Sequence, residues 1–124
     1  MRILPYSRQN IDDNDIKSVV KVLKSDFLTQ GPNVLKFEKN ISRKIGSKFS
    51  IAVNSATSAL HIACMSLNIK KGDIVWTSAN SFVASINCAK YLGAQVDFID
   101  IENDFYNLSI KNLEKKLIFS KKKN

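Results

Sequence analysis

The stretch FSIAVNSATSALHIACMSLNIKKGDIVWTSANSFVASINCAKYLGAQVDFID, residues 49–100, decides the fold. It alternates short β-prone runs with helical ones: FSIAV, then TSALHIACMSLNI, DIVWTSA, FVASINCAKYLG and QVDFID. Such alternation predicts βαβ units around a parallel sheet. The strand cores are continuous apolar runs without polar alternation, as strands covered on both faces require. Strands are expected near 49–53, 73–78 and 95–99, an α/β sheet that is thin for a doubly wound fold and cut short after about three strands. An abrupt end leaves a ladder edge that must find a partner. The helix over 57–67 is apolar nearly all round, through Ala59, Leu60, Ile62, Ala63, Cys64 and Met65, and is expected to be sandwiched between layers.

Upstream of this stretch the pattern is helical. Ile16, Val19, Val20 and Leu23 share one face of an amphipathic helix over 12–24, with Asp12 or Asp13 as its cap. After the turn-rich SDFLTQGP, residues 25–32, helical spacing restarts at Val34, Phe37, Ile41 and Ile45, and Gly46 ends it. Downstream of Asp100, IENDFYNLSIKNLEKKL reads as a loop and a helix capped by Ser109, with Ile110, Leu113 and Leu117 on one face. The terminal IFSKKKN reads as no element, so one domain is expected over 1–117, followed by an irregular basic tail over 118–124.

Composition bounds the function classes. With 44% hydrophobic and 24% charged residues the chain has an ordinary globular balance. No apolar run reaches the length of a membrane span or a signal peptide, so a soluble, cytoplasmic chain is expected. The net charge of +8 falls to +5 without Lys121, Lys122 and Lys123. The remaining lysines are spread out, with no arginine cluster and no aromatic-basic interleaving, which reads as a solvated surface rather than a nucleic-acid face. Cys64 and Cys88 each lie in an apolar helical pattern without metal-ligand spacing and read as core residues. His61, the only histidine, reads as a core or edge residue of its helix.

Chemistry concentrates at two strand-to-helix junctions. Asn54, Ser55, Thr57 and Ser58 fall where a strand hands over to a helix N-terminus, where free N–H groups and the positive dipole end favour an anion. Simple capping by Ser55 or Thr57 accounts for the same residues. At the next junction Phe82 lies just past a strand and at the start of a helix, where an aromatic ring can stack on a planar ligand whose phosphate sits at the first junction.

NSATSAL, followed by TSANSFVASINCAKYLGAQVDFIDI and preceded by PYSRQNIDDNDIKSVVKVLKSDFLTQGPNVLKFEKNI, resembles the opening of the sugar aminotransferases of the DegT/DnrJ/StrS type, over about 5–117. Within that family the likeness is to the transaminases of pseudaminic acid biosynthesis, which aminate a UDP-linked 4-keto sugar with glutamate as donor. The resemblance implies the large domain of the fold type I, aspartate aminotransferase-like, pyridoxal-phosphate-dependent transferases. It implies that Ser55, Ala56, Thr57 and Ser58 hold the phosphate of pyridoxal 5'-phosphate and that Phe82 stacks on its ring. It implies further that Tyr6, Asp26, Phe27, Leu28 and Thr29 face the sugar nucleotide, that Gly31 shapes the 29–31 loop, and that full-length relatives are homodimers.

Aminotransfer also needs a Schiff-base lysine that moves the proton, and a carboxylate beside the pyridinium nitrogen. In the family pattern both follow later than residue 124, so no catalytic residue is assigned in this chain and no activity is expected of it alone. The spacing Ser-x-x-x-x-Lys occurs at Ser66–Lys71 and Ser85–Lys90, both in helix or helix-end positions, and is read as chance. The alternatives are a non-catalytic phosphate-binding fragment, or one half of a split enzyme. No metal site is expected.

Overall fold

The computed structural model describes residues 3–121. The chain divides into two compact units, separating between Ala52 and Val53, where the sequence led us to expect one domain.

The first unit is built on two helices. α1 (Asp13–Leu23) is started by Asp12, whose carboxylate accepts from the N–H groups of Asn14 and Asp15, while Asp15 reaches back to the Asp12 N–H. This reciprocal box satisfies N–H groups that a helix start leaves bare. α2 (Pro32–Ile45) begins with proline at its first position, where the missing N–H costs nothing. It stops at Gly46, which takes the left-handed conformation at φ 71°, one that glycine adopts without a Cβ clash.

Residues 49–53 do not form the expected strand. No ladder neighbour flanks them among the described residues, and the Ala52 N–H donates instead to Glu38 Oε1 of α2 at 2.8 Å. Ser42 donates to Ser50 Oγ at 2.9 Å, fastening the same segment. β-prone side chains are not enough for a strand: the backbone needs a partner, and here side chains take that place.

The second unit carries the sheet. β1 (Ile74–Ser78) and β2 (Gln95–Ile99) pair in parallel, with Ile74 opposite Gln95 and Ser78 opposite Ile99. A parallel pair needs a crossover, and α4 (Ala84–Lys90) supplies it. α3 (Ala56–Ser66) precedes β1 and packs on α4. The core is small: Ala84, Cys88 and Ala89 of α4, with Ala94 and Ile99. Ile99, 1% exposed, is the largest fully buried side chain.

Two further expectations are corrected. α3 has no buried residue, and Leu60, Ile62 and Met65 remain exposed; among the described residues α4 is the element that chiefly packs on it. The final helix, α5 (Ile110–Lys121), runs past 117 into the segment expected to be irregular. Nothing in IFSK breaks a helix, since it holds neither glycine nor proline. Lys122 and Lys123 lie outside the described residues. Ser109 does cap α5, accepting from the Asn112 N–H at 3.3 Å.

Lys116 ties α5 to the sheet. Lys116 Nζ donates to the Phe98 carbonyl at 2.7 Å, pairs with Asp97 Oδ2 at 2.5 Å, and lies 5.6 Å from the centre of the Trp76 ring. The bond from Lys116, with the Phe98 N–H second, holds the Asp97 carboxyl below its ordinary pKa. A lowered folded-state pKa gives a contribution that is present above the unfolded value and lost as pH falls through the folded one. Acidification below about pH 4 is therefore expected to change Trp76 emission as Lys116 is released. Asp97→Asn should lack that step; an equal step in the variant would assign it to another group.

Candidate functional site

The junction at the start of α3 is a closed circuit of short polar side chains. Ser55 is extended at φ −158° and caps the helix, its hydroxyl accepting from the Ser58 N–H at 3.2 Å. The Ser58 hydroxyl donates to Asn54 Oδ1 at 2.8 Å. The Ser55 and Ser58 hydroxyls lie 3.0 Å apart, and Ser55 also reaches Asn54 Oδ1 at 3.5 Å. With the Ser58 proton committed to Asn54, the Ser55 proton serves the Ser55–Ser58 bond.

The sequence set capping against anion binding, but capping leaves other groups at this junction open to an anion. Ser55 satisfies the Ser58 N–H and the Ser55 carbonyl satisfies the Ala59 N–H at 3.1 Å. Helix geometry leaves the N–H groups of Ala56 and Thr57 without an intrahelical acceptor. Those two donors, at the positive end of the helix dipole and beside the small Ala56 side chain, fit a phosphate. Ser55 is exposed and Thr57 and Ser58 are half-buried, so a ligand can reach them from solvent.

Phe82 lies in the turn between β1 and α4. Its carbonyl accepts from the Ser85 N–H at 3.0 Å, opening the helical turn, and its ring is 74% exposed. A core phenylalanine would be covered, whereas this ring has a free surface on which a flat ligand can stack. The cradle thus opens α3 and the ring stands just ahead of α4, two helices that pack on each other. Lys71 and Lys90, the two lysines at Ser-x-x-x-x-Lys spacing, are exposed, the first in a turn and the second at the last position of α4.

The residues expected to face a sugar nucleotide belong to the first unit. Tyr6 is fully exposed, and Asp26, Phe27, Leu28 and Thr29 are exposed. Their loop is held by its backbone: Gln30 is left-handed at φ 51°, and a Cβ on Gly31 would stand 2.7 Å from Phe27 Cβ. Gly31 has an ordinary φ of −79°, so close approach is what requires glycine there.

Asn54, which the sequence reading already placed at this junction, has a role there that the reading did not give it. Its part lies in orienting two hydroxyls, which only the placement of residues 54, 55 and 58 reveals. Among the described residues there is no group of three or more His, Cys, Asp or Glu able to hold a metal, and no helix is long and apolar enough to cross a membrane.

Residues 9–123 match the DegT/DnrJ/EryC1/StrS aminotransferase family. The chain is 46% identical over 116 residues to the UDP-4-amino-4,6-dideoxy-N-acetyl-beta-L-altrosamine transaminase of Campylobacter jejuni subsp. jejuni serotype O:23/36, an alignment covering 94% of this chain and 30% of that protein. Among solved structures it resembles a putative sugar aminotransferase from Streptococcus pneumoniae in its PLP form, with a TM-score of 0.84 and 29% identity over 90% of this chain and 29% of that one. It also resembles a GDP-4-keto-6-deoxymannose-3-dehydratase with a trapped PLP-glutamate geminal diamine, with a TM-score of 0.84 and 27% identity over 90% of this chain and 30% of that one. The chain thus spans about 30% of the length of these relatives.

Replacing Gly31 by alanine is expected to push Phe27 outward and reshape residues 26–30. Amide NMR shifts should move at Phe27 and Thr29 and stay fixed in β1 and β2. Unchanged Phe27 and Thr29 resonances would show that the close approach does not set the loop.

Proposed function

The chain belongs to the DegT/DnrJ/EryC1/StrS aminotransferase family, and from that premise we propose that it supplies the cofactor-phosphate cradle and ring platform of a pyridoxal-phosphate-dependent sugar transaminase. In this reading Ser55, Ala56, Thr57 and Ser58 hold the phosphate and Phe82 lies against the pyridine ring. The substrate is a UDP-linked 4-keto-6-deoxy amino sugar, with glutamate as amino donor, as in pseudaminic acid or related nucleotide-sugar biosynthesis. Tyr6, Asp26, Phe27, Leu28 and Thr29 face the sugar nucleotide, and the working enzyme is a cytoplasmic homodimer. The observation that carries the reading is the start of α3, where two N–H groups remain free beside a set of satisfied hydroxyls.

The residues divide the binding work by physical role. The N–H groups of Ala56 and Thr57 meet phosphate oxygens as charge-assisted donors, the strongest kind of neutral-backbone contact. Ser55 and Ser58 turn their hydroxyl protons from one another and from Asn54 toward the anion. Phe82 fixes the plane of the ring and excludes water from one face of it. When bound, pyridoxal 5'-phosphate supplies the electron sink for moving an amino group. No lysine of this chain is assigned the covalent role and no carboxylate the ring-nitrogen role, so the chain alone is inactive in this proposal. The uncovered apolar surface of α3 supports completion by further polypeptide, either continuous with this segment or as the other half of a split enzyme.

Two measurements test this. The chain should bind pyridoxal 5'-phosphate more tightly than pyridoxal by about tenfold or more, given roughly 1.5–3 kcal/mol for each hydrogen bond to a charged group. Phe82→Ala should weaken both ligands alike, whereas Ser55→Ala should weaken only the phosphorylated one and cost about 1 kcal/mol of helix capping. Equal affinity for the two ligands removes the cradle. Separately, a polypeptide carrying this segment, given cofactor, glutamate and a UDP-linked 4-keto sugar, should release 2-oxoglutarate and the amino sugar. Turnover by the 124-residue chain alone would contradict the division of roles.

A further inference from the structure

Cys64 and Cys88 stand on the faces that α3 and α4 turn toward each other. On α3, Thr57, Ser58, His61 and Cys64 are half-buried and the other residues are exposed, which makes a stripe at helical spacing. The His61 ring meets the Tyr91 ring at the end of α4, with centroids 5.3 Å apart, so this stripe faces α4. On α4 the opposing residues are small: Ala84, Cys88 and Ala89 are buried, which lets the backbones approach closely. Cys88 donates its thiol proton to the Ser85 carbonyl at 3.4 Å, leaving its sulfur free as an acceptor. Cys64 lies three residues after His61 and Cys88 three residues before Tyr91, which sets the two free thiols on the same contact between α3 and α4.

We propose that Cys64 and Cys88 are a dithiol pair that a peroxide closes into a disulfide between α3 and α4. Cys64, half-buried, is the sulfur that solvent can reach, and Cys88, buried at 4% exposure, is the resolving partner. The Cys64 thiolate attacks one peroxide oxygen, the O–O bond breaks, and a sulfenic acid forms as hydroxide leaves and is protonated to water. Cys88 sulfur then attacks the sulfenic sulfur, the S–S bond forms and the S–O bond breaks. The departing hydroxide takes the Cys88 proton and leaves as a second water. Two thiols are oxidised and one peroxide is reduced to two waters. Burial, and then the neighbouring Cys88, push the Cys64 thiol above its ordinary pKa, so the attacking thiolate is scarce at neutral pH and the closure quickens as pH rises.

The disulfide would join the helix that begins with the cradle to the helix that follows Phe82. It forms or fails to form whatever the cradle binds, so its test stands apart from the proposed function. The full chain is treated with hydrogen peroxide, remaining thiols are alkylated, and the digest is analysed by mass spectrometry. The expected product joins the Cys64 peptide to the Cys88 peptide within one chain and is reversed by dithiothreitol. Its rate should rise roughly tenfold between pH 7 and pH 8. Cys88→Ser should halt Cys64 at a sulfenic acid that dimedone captures. A wild-type chain in which dimedone captures Cys64 while Cys88 stays reduced, or in which the link joins only separate chains, overturns the pair.

Discussion

The second unit depends on one backbone ladder. β1 and β2 are parallel, so neither can be reached from the other by a tight turn, and the chain must cross over through α4. That crossover decides where everything else lies. It sets α4 against the strands, brings α3 against α4, and buries Ala84, Cys88, Ala89, Ala94 and Ile99 at their meeting. It also places Phe82 in the turn that leaves β1, at the carboxyl end of a parallel strand, where open α/β sheets collect ligands.

What could be read in the sequence was whatever is decided within a few residues. Asp12 as a cap, Gly46 as a stop and Ser109 at the start of α5 each follow from a side chain or a φ angle acting on its own neighbourhood. Strands over 73–78 and 95–99 were legible because both find each other. The run 49–53 has the same composition but is claimed by Glu38 and Ser42, and no local pattern announces an acceptor from fourteen residues upstream. The all-round apolarity of α3 correctly marks a surface that burial would favour. It does not say that the covering layer is among these residues.

The candidate site shows the same division. Ser55 as the start of a helix is legible, and so is an aromatic residue between β1 and α4. That capping leaves other N–H groups open to an anion is a matter of geometry: Ser58 is taken by the cap, and Ala56 and Thr57 are not. The sequence places Asn54 at the junction but does not show its role, because its amide works on side chains one and four residues ahead of it. The expected sugar-nucleotide residues, Tyr6 and 26–29, are presented on an exposed surface with only their loop backbone constrained.

The hydroxyl circuit of Asn54, Ser55 and Ser58 bears on the order of assembly. An anion site whose donors point into solvent with nothing to hold them carries a standing penalty in its empty state. Here each hydroxyl proton already has an acceptor inside the circuit, so the junction satisfies its own hydroxyls. A ligand has only to reorient two rotors and take up two waiting N–H groups. α3 can therefore fold before anything is loaded onto it, and loading becomes a late, reversible event rather than a condition of folding.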